Sequence, residues 1–208
     1  MGNKMPRLIT FGDSFTFGHH LPDPNTQSWP AILADLLDRE LVNVADPGAS
    51  NIEILTAILT FDFEQSDLVV VGWTFIERDM IFRKKSLLNK LFNRQEHTRV
   101  QVWSDNPETK LWIELHPEFD QAVRSGLHMH HAELYLQSLN LEQYHIYTQP
   151  PNTFRYRNSF PVFFKDMINL LDRKIFSRVD LALDNSHPGV KSHQNTANNI
   201  YKAINATK

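Results

Sequence analysis

The 208-residue chain contains no cysteine. Disulfides, thiolate-bound metals and a cysteine nucleophile are therefore excluded by composition. No apolar run reaches the ~18 residues that cross a bilayer, so no membrane span is expected. Residues Met1 to Arg7 lack an apolar core, so no secretory signal is expected there. That points to the cytoplasm, with release by lysis or within a particle as the other routes. An excess of one charge is also missing. The 21 Lys and Arg against 24 Asp and Glu leave a formal net charge of -3, which creates no global field toward nucleic acid or anionic lipid. There is no internal repeat, low-complexity tract or linker. What remains is 41% hydrophobic and 22% charged residues, the make-up of a soluble globular protein with a sizeable core. The length suits one α/β domain over 1–208.

Leu8 to Phe11 is an apolar, partly β-branched run of strand length. It breaks at Gly12, passes Asp13 and Ser14, and meets a second glycine at Gly18. A serine just past a buried strand is held by a rigid scaffold yet presented on a loop, where a nucleophile works best. An ordinary Asp-Ser turn would use the same residues. Leu21 to Asn25 is turn chemistry, Ser28 is a candidate N-cap, and Ile32, Leu33, Leu36 and Leu37 form a helical stripe. Leu41 to Ala45 predicts a second strand, Asp46 to Ala49 a tight turn, and Ser50 with Glu53 a capping box opening a helix to about Phe61. Leu68 to Val71 is apolar throughout, as in a central parallel strand covered on both faces. The alternation β-α-β-α-β predicts a doubly wound sheet. The loops 12–18, 47–51 and 72–78 then leave its carboxyl edge, where such sheets bind ligands.

From Arg78 to about Pro117 the alternation stops, marking an inserted segment. Met80, Ile81, Leu87, Leu88, Leu91 and Phe92 predict an amphipathic helix. Between Arg78 and Arg99 seven Lys and Arg face two acids, which suits either a lid drawing in an anionic substrate or a solvated helical face. Val100 to Val102 and Leu111 to Leu115 predict a small hairpin around 104–110. It carries Trp103 and Trp112 as core residues or sugar-stacking platforms. A long helix follows from Pro117 to about Leu139. It brings His128 and His131 onto one face, but without an H-E-x-x-H pattern no metal site is assigned. Tyr144 to Thr148 predicts a strand and Pro161 opens an apolar helix. A last helix after Gly189 turns Ala197, Ile200, Tyr201 and Ile204 inward.

A serine hydroxyl is a poor nucleophile until an oriented base removes its proton. Of ten histidines, His187 has an aspartate three residues earlier on a loop-like segment. Asp184 can accept from its Nδ1–H and leave Nε2 for Ser14. The same D-x-x-H pattern also suits a helix N-cap by Asp184 or Ser186, and both can hold together.

Gly12-Asp13-Ser14 with Gly18, Gly48 in Pro47-Gly48-Ala49-Ser50-Asn51, and Asp184-x-x-His187-Pro188 occur in the order of the SGNH/GDSL hydrolase blocks. The chain resembles that family across nearly its whole length. The resemblance implies a three-layer α/β/α sandwich with a flavodoxin-like parallel sheet of about five strands. It also implies Ser14 as nucleophile, His187 as general base and Asp184 as its orienting acid. The backbone N–H groups of Ser14 and Gly48 would belong to the oxyanion hole. The family's third block carries an asparagine donor where this chain has Thr74, so Thr74, Asn51 or Arg78 is expected to supply the third donor. The G-x-S-x-G elbow of the α/β-hydrolases is absent. The expected activity is removal of a small acyl group such as acetyl from a carbohydrate or similar polar ester, with no metal or organic cofactor and no nucleic-acid partner. A lipase or thioesterase, or a non-catalytic glycan-binding module, are the alternatives.

Overall fold

The computed structural model describes residues 5–82, 97–101, 103–147 and 177–206. Strands β1 (Arg7–Phe11), β2 (Glu40–Asn43), β3 (Leu68–Trp73) and β6 (Glu142–Tyr147) form a sheet in the order β2-β1-β3-β6, with every pairing parallel. Between β1 and β2 lie the short helices α1 (Ser14–Phe17) and α2 (Pro24–Gln27) and then α3 (Trp29–Leu36). Helix α4 (Asn51–Thr60) links β2 to β3, α6 (Glu118–Ser138) precedes β6, and α7 (Val190–Ala206) ends the described chain.

Period-two side-chain alternation decides which helix covers which face. Ile9, Phe11, Val69, Val71 and Trp73 point to one side, against Ile54, Leu55 and Ile58 of α4 and Met129, Ala132 and Leu136 of α6. Leu8, Leu68, Val70 and Ile146 point to the other, against Trp29, Leu33 and Ala34 of α3 and Ala197, Ile200 and Ile204 of α7. The result is the expected three-layer α/β/α sandwich, with four parallel strands among the described residues. The predicted caps form. Ser28 Oγ accepts from Ala31 N at 3.4 Å, and the Glu53 carboxylate accepts from Ser50 N at 2.9 Å and from its hydroxyl at 2.8 Å. No helix among the described residues is long and apolar enough to cross a membrane.

The inserted segment departs from expectation. Residues 79–82 form strand β4 (Asp79–Phe82), antiparallel to β5 (His97–Val100), where the sequence predicts helix. The apolar pair Met80 and Ile81 suits either period, and pairing to β5 supplies the partner that decides it. The rest of that predicted helix, 83–96, lies outside the described residues, as does the helix expected from Pro161. The predicted hairpin is replaced by helix α5 (Pro107–Leu115). Its signal was Asn106-Pro107, an N-cap accepting from Glu108 N at 2.9 Å followed by proline at the first helical position. Trp103 is exposed, and Trp112 stacks on His116 at 4.2 Å.

Two buried histidines tie elements together. His145 on β6 accepts from Trp73 Nε1 at 3.0 Å through Nδ1, which leaves Nε2 to donate to Gln143 Oε1 at 2.8 Å. His193 on α7 accepts from Trp29 N at 3.0 Å and so joins α7 to α3. Burial pushes both imidazoles down to about 4. In the unfolded chain they titrate near 6.5, so between those values the unfolded state binds more protons and stability falls as pH falls. Each histidine contributes up to about 1.4 kcal/mol per pH unit in that window. Urea midpoints are therefore expected to drop steeply between about pH 6.5 and 4. A flat midpoint there would show that neither imidazole stays neutral in the fold.

Candidate active site

Three loops leave the carboxyl edge where the chain, having placed β2 on one side of β1, returns to place β3 on the other. This is the switch point at which open α/β sheets bind ligands. The first loop turns sharply into α1. Asp13 Oδ1 accepts from Phe15 N at 2.9 Å as its N-cap, and Gly18 (φ +80°) ends the turn by donating to Ser14 O. Only glycine fits at position 12, because a Cβ there would lie 2.1 Å from Thr16 Oγ1 and 2.9 Å from Gly72 O. Ser14 is the first residue of α1 and is largely buried.

The second loop carries Gly48 (φ +84°) and is clamped from the insertion. Arg99 of β5 donates Nη1 to Pro47 O at 3.0 Å and Nε to Glu53 Oε1 at 2.8 Å, and pairs through Nη2 with Asp46. Burial opposes its charge, but the bonds to Asp46 and Glu53 outweigh that and raise its pKa. The third loop follows β3. Thr74 donates its hydroxyl to Asp13 Oδ2 at 2.6 Å, and Arg78 Nη1 donates to the same oxygen at 2.8 Å and to Thr74 Oγ1 at 2.9 Å. The Arg78 guanidinium lies over the rings of Phe75 and Trp103, 4.8 and 5.0 Å from their centroids. Asn51 Oδ1 accepts from Thr74 N at 3.0 Å, while its Nδ2 donates to Thr74 O and to Ser125 Oγ. Arg78 and Arg99, two of the seven basic residues of 78–99, are thus neutralised by Asp13, Asp46 and Glu53.

The fourth piece precedes α7. Asp184 Oδ2 accepts from His187 Nδ1 at 2.5 Å, and Oδ1 accepts from His187 N at 3.0 Å and Ser186 N at 3.1 Å. Partial burial works against the Asp184 charge, yet these donors hold its carboxyl well below the usual range. Neither Asp184 nor Ser186 caps α7. Asp180 does so, accepting from Lys191 N at 3.0 Å and Ser192 N at 2.7 Å. That division of labour leaves Asp184 to orient His187. The His187 ring meets the edge of Phe15 at 5.5 Å, which sets it against the turn that bears Ser14.

Two neighbours of His187 carry no motif and escape sequence reading. His19 and His20 lie 5.4 and 5.2 Å from the His187 ring, and His20 Nε2 lies 3.8 Å from Asp184 Oδ2. By contrast, among the described residues His128 and His131 belong to no cluster able to hold a metal ion. His128 is partly buried and its pKa lowered by that burial.

No family model matches the sequence, and no curated protein does. Solved structures share the fold. The chain superposes on the psychrotrophic esterase EstA from Pseudoalteromonas sp. with TM-score 0.55 at 14% identity, over 97% of this chain and 98% of that one. A member of the lipolytic protein G-D-S-L family from Veillonella parvula gives 0.51 at 12% identity, over 96% and 98%. A carbohydrate esterase family 2 enzyme with a carbohydrate-binding domain, from Corynascus thermopiles, gives 0.61 at 13% identity, over 99% of this chain and 68% of that one.

Proposed function

We propose that this chain, which has the fold of the G-D-S-L hydrolases, is a serine ester hydrolase acting through Ser14, His187 and Asp184. The observation that carries this reading is the 2.5 Å bond from His187 Nδ1 to Asp184 Oδ2, with the imidazole packed against the turn that begins at Ser14. That bond fixes the tautomer, with Nδ1 protonated and the Nε2 lone pair left for the serine proton. Ser14 Oγ attacks the ester carbonyl as His187 Nε2 takes its proton. The same proton leaves with the alcohol, and water then releases the acyl group by the reverse path. The backbone N–H groups of Ser14 and Gly48 stabilise the oxyanion. Thr74, whose proton goes to Asp13, acts by positioning Arg78.

A small acyl group on a carbohydrate is the substrate this reading favours. An open groove of about 490 Å³ is lined, among the described residues, by His97, Thr98, Arg99 and Asn106, all polar, and Arg99 also holds the Gly48 loop. Trp103, whose ring lies 5.0 Å from the Arg78 guanidinium, adds an exposed aromatic surface suited to stacking on a sugar. A fluorophosphonate probe is expected to label Ser14, and p-nitrophenyl acetate to be cleaved faster than the octanoate. The opposite chain-length order would move the assignment to a lipase or thioesterase. No labelling together with glycan binding would make the domain a non-catalytic binding module.

A further inference from the structure

We propose that His20, Asp184 and His187 form a binding site for a divalent zinc-type cation, and that the cation switches the hydrolase off. The inhibitory part rests on the esterase reading above; the binding part does not. One ligand atom from each residue lies within 4.8 Å of those of the other two, and among the described residues this is the one such cluster. Two imidazoles with one carboxylate, and room for water in the fourth position, are a donor set that zinc accepts. Both histidines address one oxygen: His187 Nδ1 is 2.5 Å and His20 Nε2 3.8 Å from Asp184 Oδ2. Ligands of a tetrahedral zinc with bonds of about 2.0–2.1 Å stand roughly 3.3 Å apart. A cation entering there therefore needs the His187 ring to withdraw by somewhat under an ångström and His20 to close by about half of one.

The backbone already aims His20 at this position. Its φ of +63° is the left-handed conformation that histidine, asparagine and aspartate adopt more readily than other side chains. Its carbonyl accepts from Leu183 N, on the same loop as Asp184, at 3.4 Å. The His20 side chain is well exposed, so an ion can enter from solvent.

Coordination and catalysis exclude each other here. The bound form of His187 offers its Nδ1 lone pair to the metal, so its single proton moves to Nε2 through solvent. An imidazole with Nε2 protonated cannot take the proton of Ser14. Asp184, its oxygen now on the metal, no longer orients the ring.

The test is calorimetric titration of ZnCl₂ into the chelator-stripped, full-length chain near neutral pH, with a parallel thermal melt. One ion per chain is expected, with a melting temperature that rises with zinc. Zinc should also slow p-nitrophenyl acetate hydrolysis, and EDTA should restore it. His20→Asn keeps the left-handed preference. It is expected to bind zinc at least about 10-fold more weakly and to lose a smaller share of its own zinc-free rate to added zinc than the wild type does. Absence of zinc heat and of a melting shift in the wild type overturns the site, as does wild-type affinity in His20→Asn. If the wild type shows no esterase activity at all, the esterase reading fails while the titration still decides the metal site.

Discussion

Ser14→Ala is expected to lower turnover of p-nitrophenyl acetate by about 10³-fold or more, with KM little changed. The loss is large because the other members of the set have nothing to act on without the hydroxyl. In the proposed mechanism His187 then has no proton to take, and no acyl-enzyme forms. What would survive is the electrostatic help of the proposed backbone donors at Ser14 and Gly48 to direct attack by water. The substitution is mild for the fold. Ser14 is the first residue of a one-turn helix whose N-cap is Asp13, not Ser14, and alanine is a good helix former. Equal rates for wild type and variant would remove Ser14 from the mechanism.

The second large effect is on stability. Asp13→Asn is expected to cost about 3–5 kcal/mol in urea unfolding. Asp13 is fully buried and accepts from Thr74 Oγ1, Arg78 Nη1 and Phe15 N. Arg78 is 7% exposed, and its Nε has no hydrogen-bond partner among the described residues. Burial already lowers the Arg78 pKa against the pull of Asp13. Taking away the only carboxylate bonded to Arg78 among the described residues leaves a cation buried without compensation. The double variant Asp13→Asn/Arg78→Met is expected to recover most of the loss, because an apolar side chain of similar length needs no counter-charge. A cost under about 1 kcal/mol for the single variant would mean that the pair is not what holds the first and third loops together.

The same pair marks where sequence reading stops. The positive charge of 78–99 is plain in the sequence, and a lid for an anionic substrate was one reading of it. Arg78 and Arg99 instead face carboxylates 65 and 53 positions away in the chain, at Asp13 and Asp46. No local pattern announces such partners. His20 is the same kind of case: it sits beside an ordinary histidine, and only the return of the chain at 180–189 brings Asp184 to it. The insertion departs from its local pattern for a different reason. Met80 and Ile81 are apolar in a stretch too short to separate period two from period 3.6, so the pairing to β5 decided the element.

Local chemistry was enough for the layers and for the loops that carry the candidate residues. Period-two apolar runs and caps at Ser28 and Ser50 act over a few residues, so the sequence by itself determined them. It also determined that His187 has an acid within one turn of loop, since three residues suffice to fold Asp184 back onto Nδ1. Tertiary structure alone decided what sums over distant segments. It committed the Thr74 hydroxyl to Asp13, gave α7 its cap from Asp180, locked the Gly48 loop with Arg99, and set His20 beside Asp184. The Thr74–Asp13 and His20–Asp184 contacts join loops that the parallel-strand topology, not any neighbouring residue, brings together.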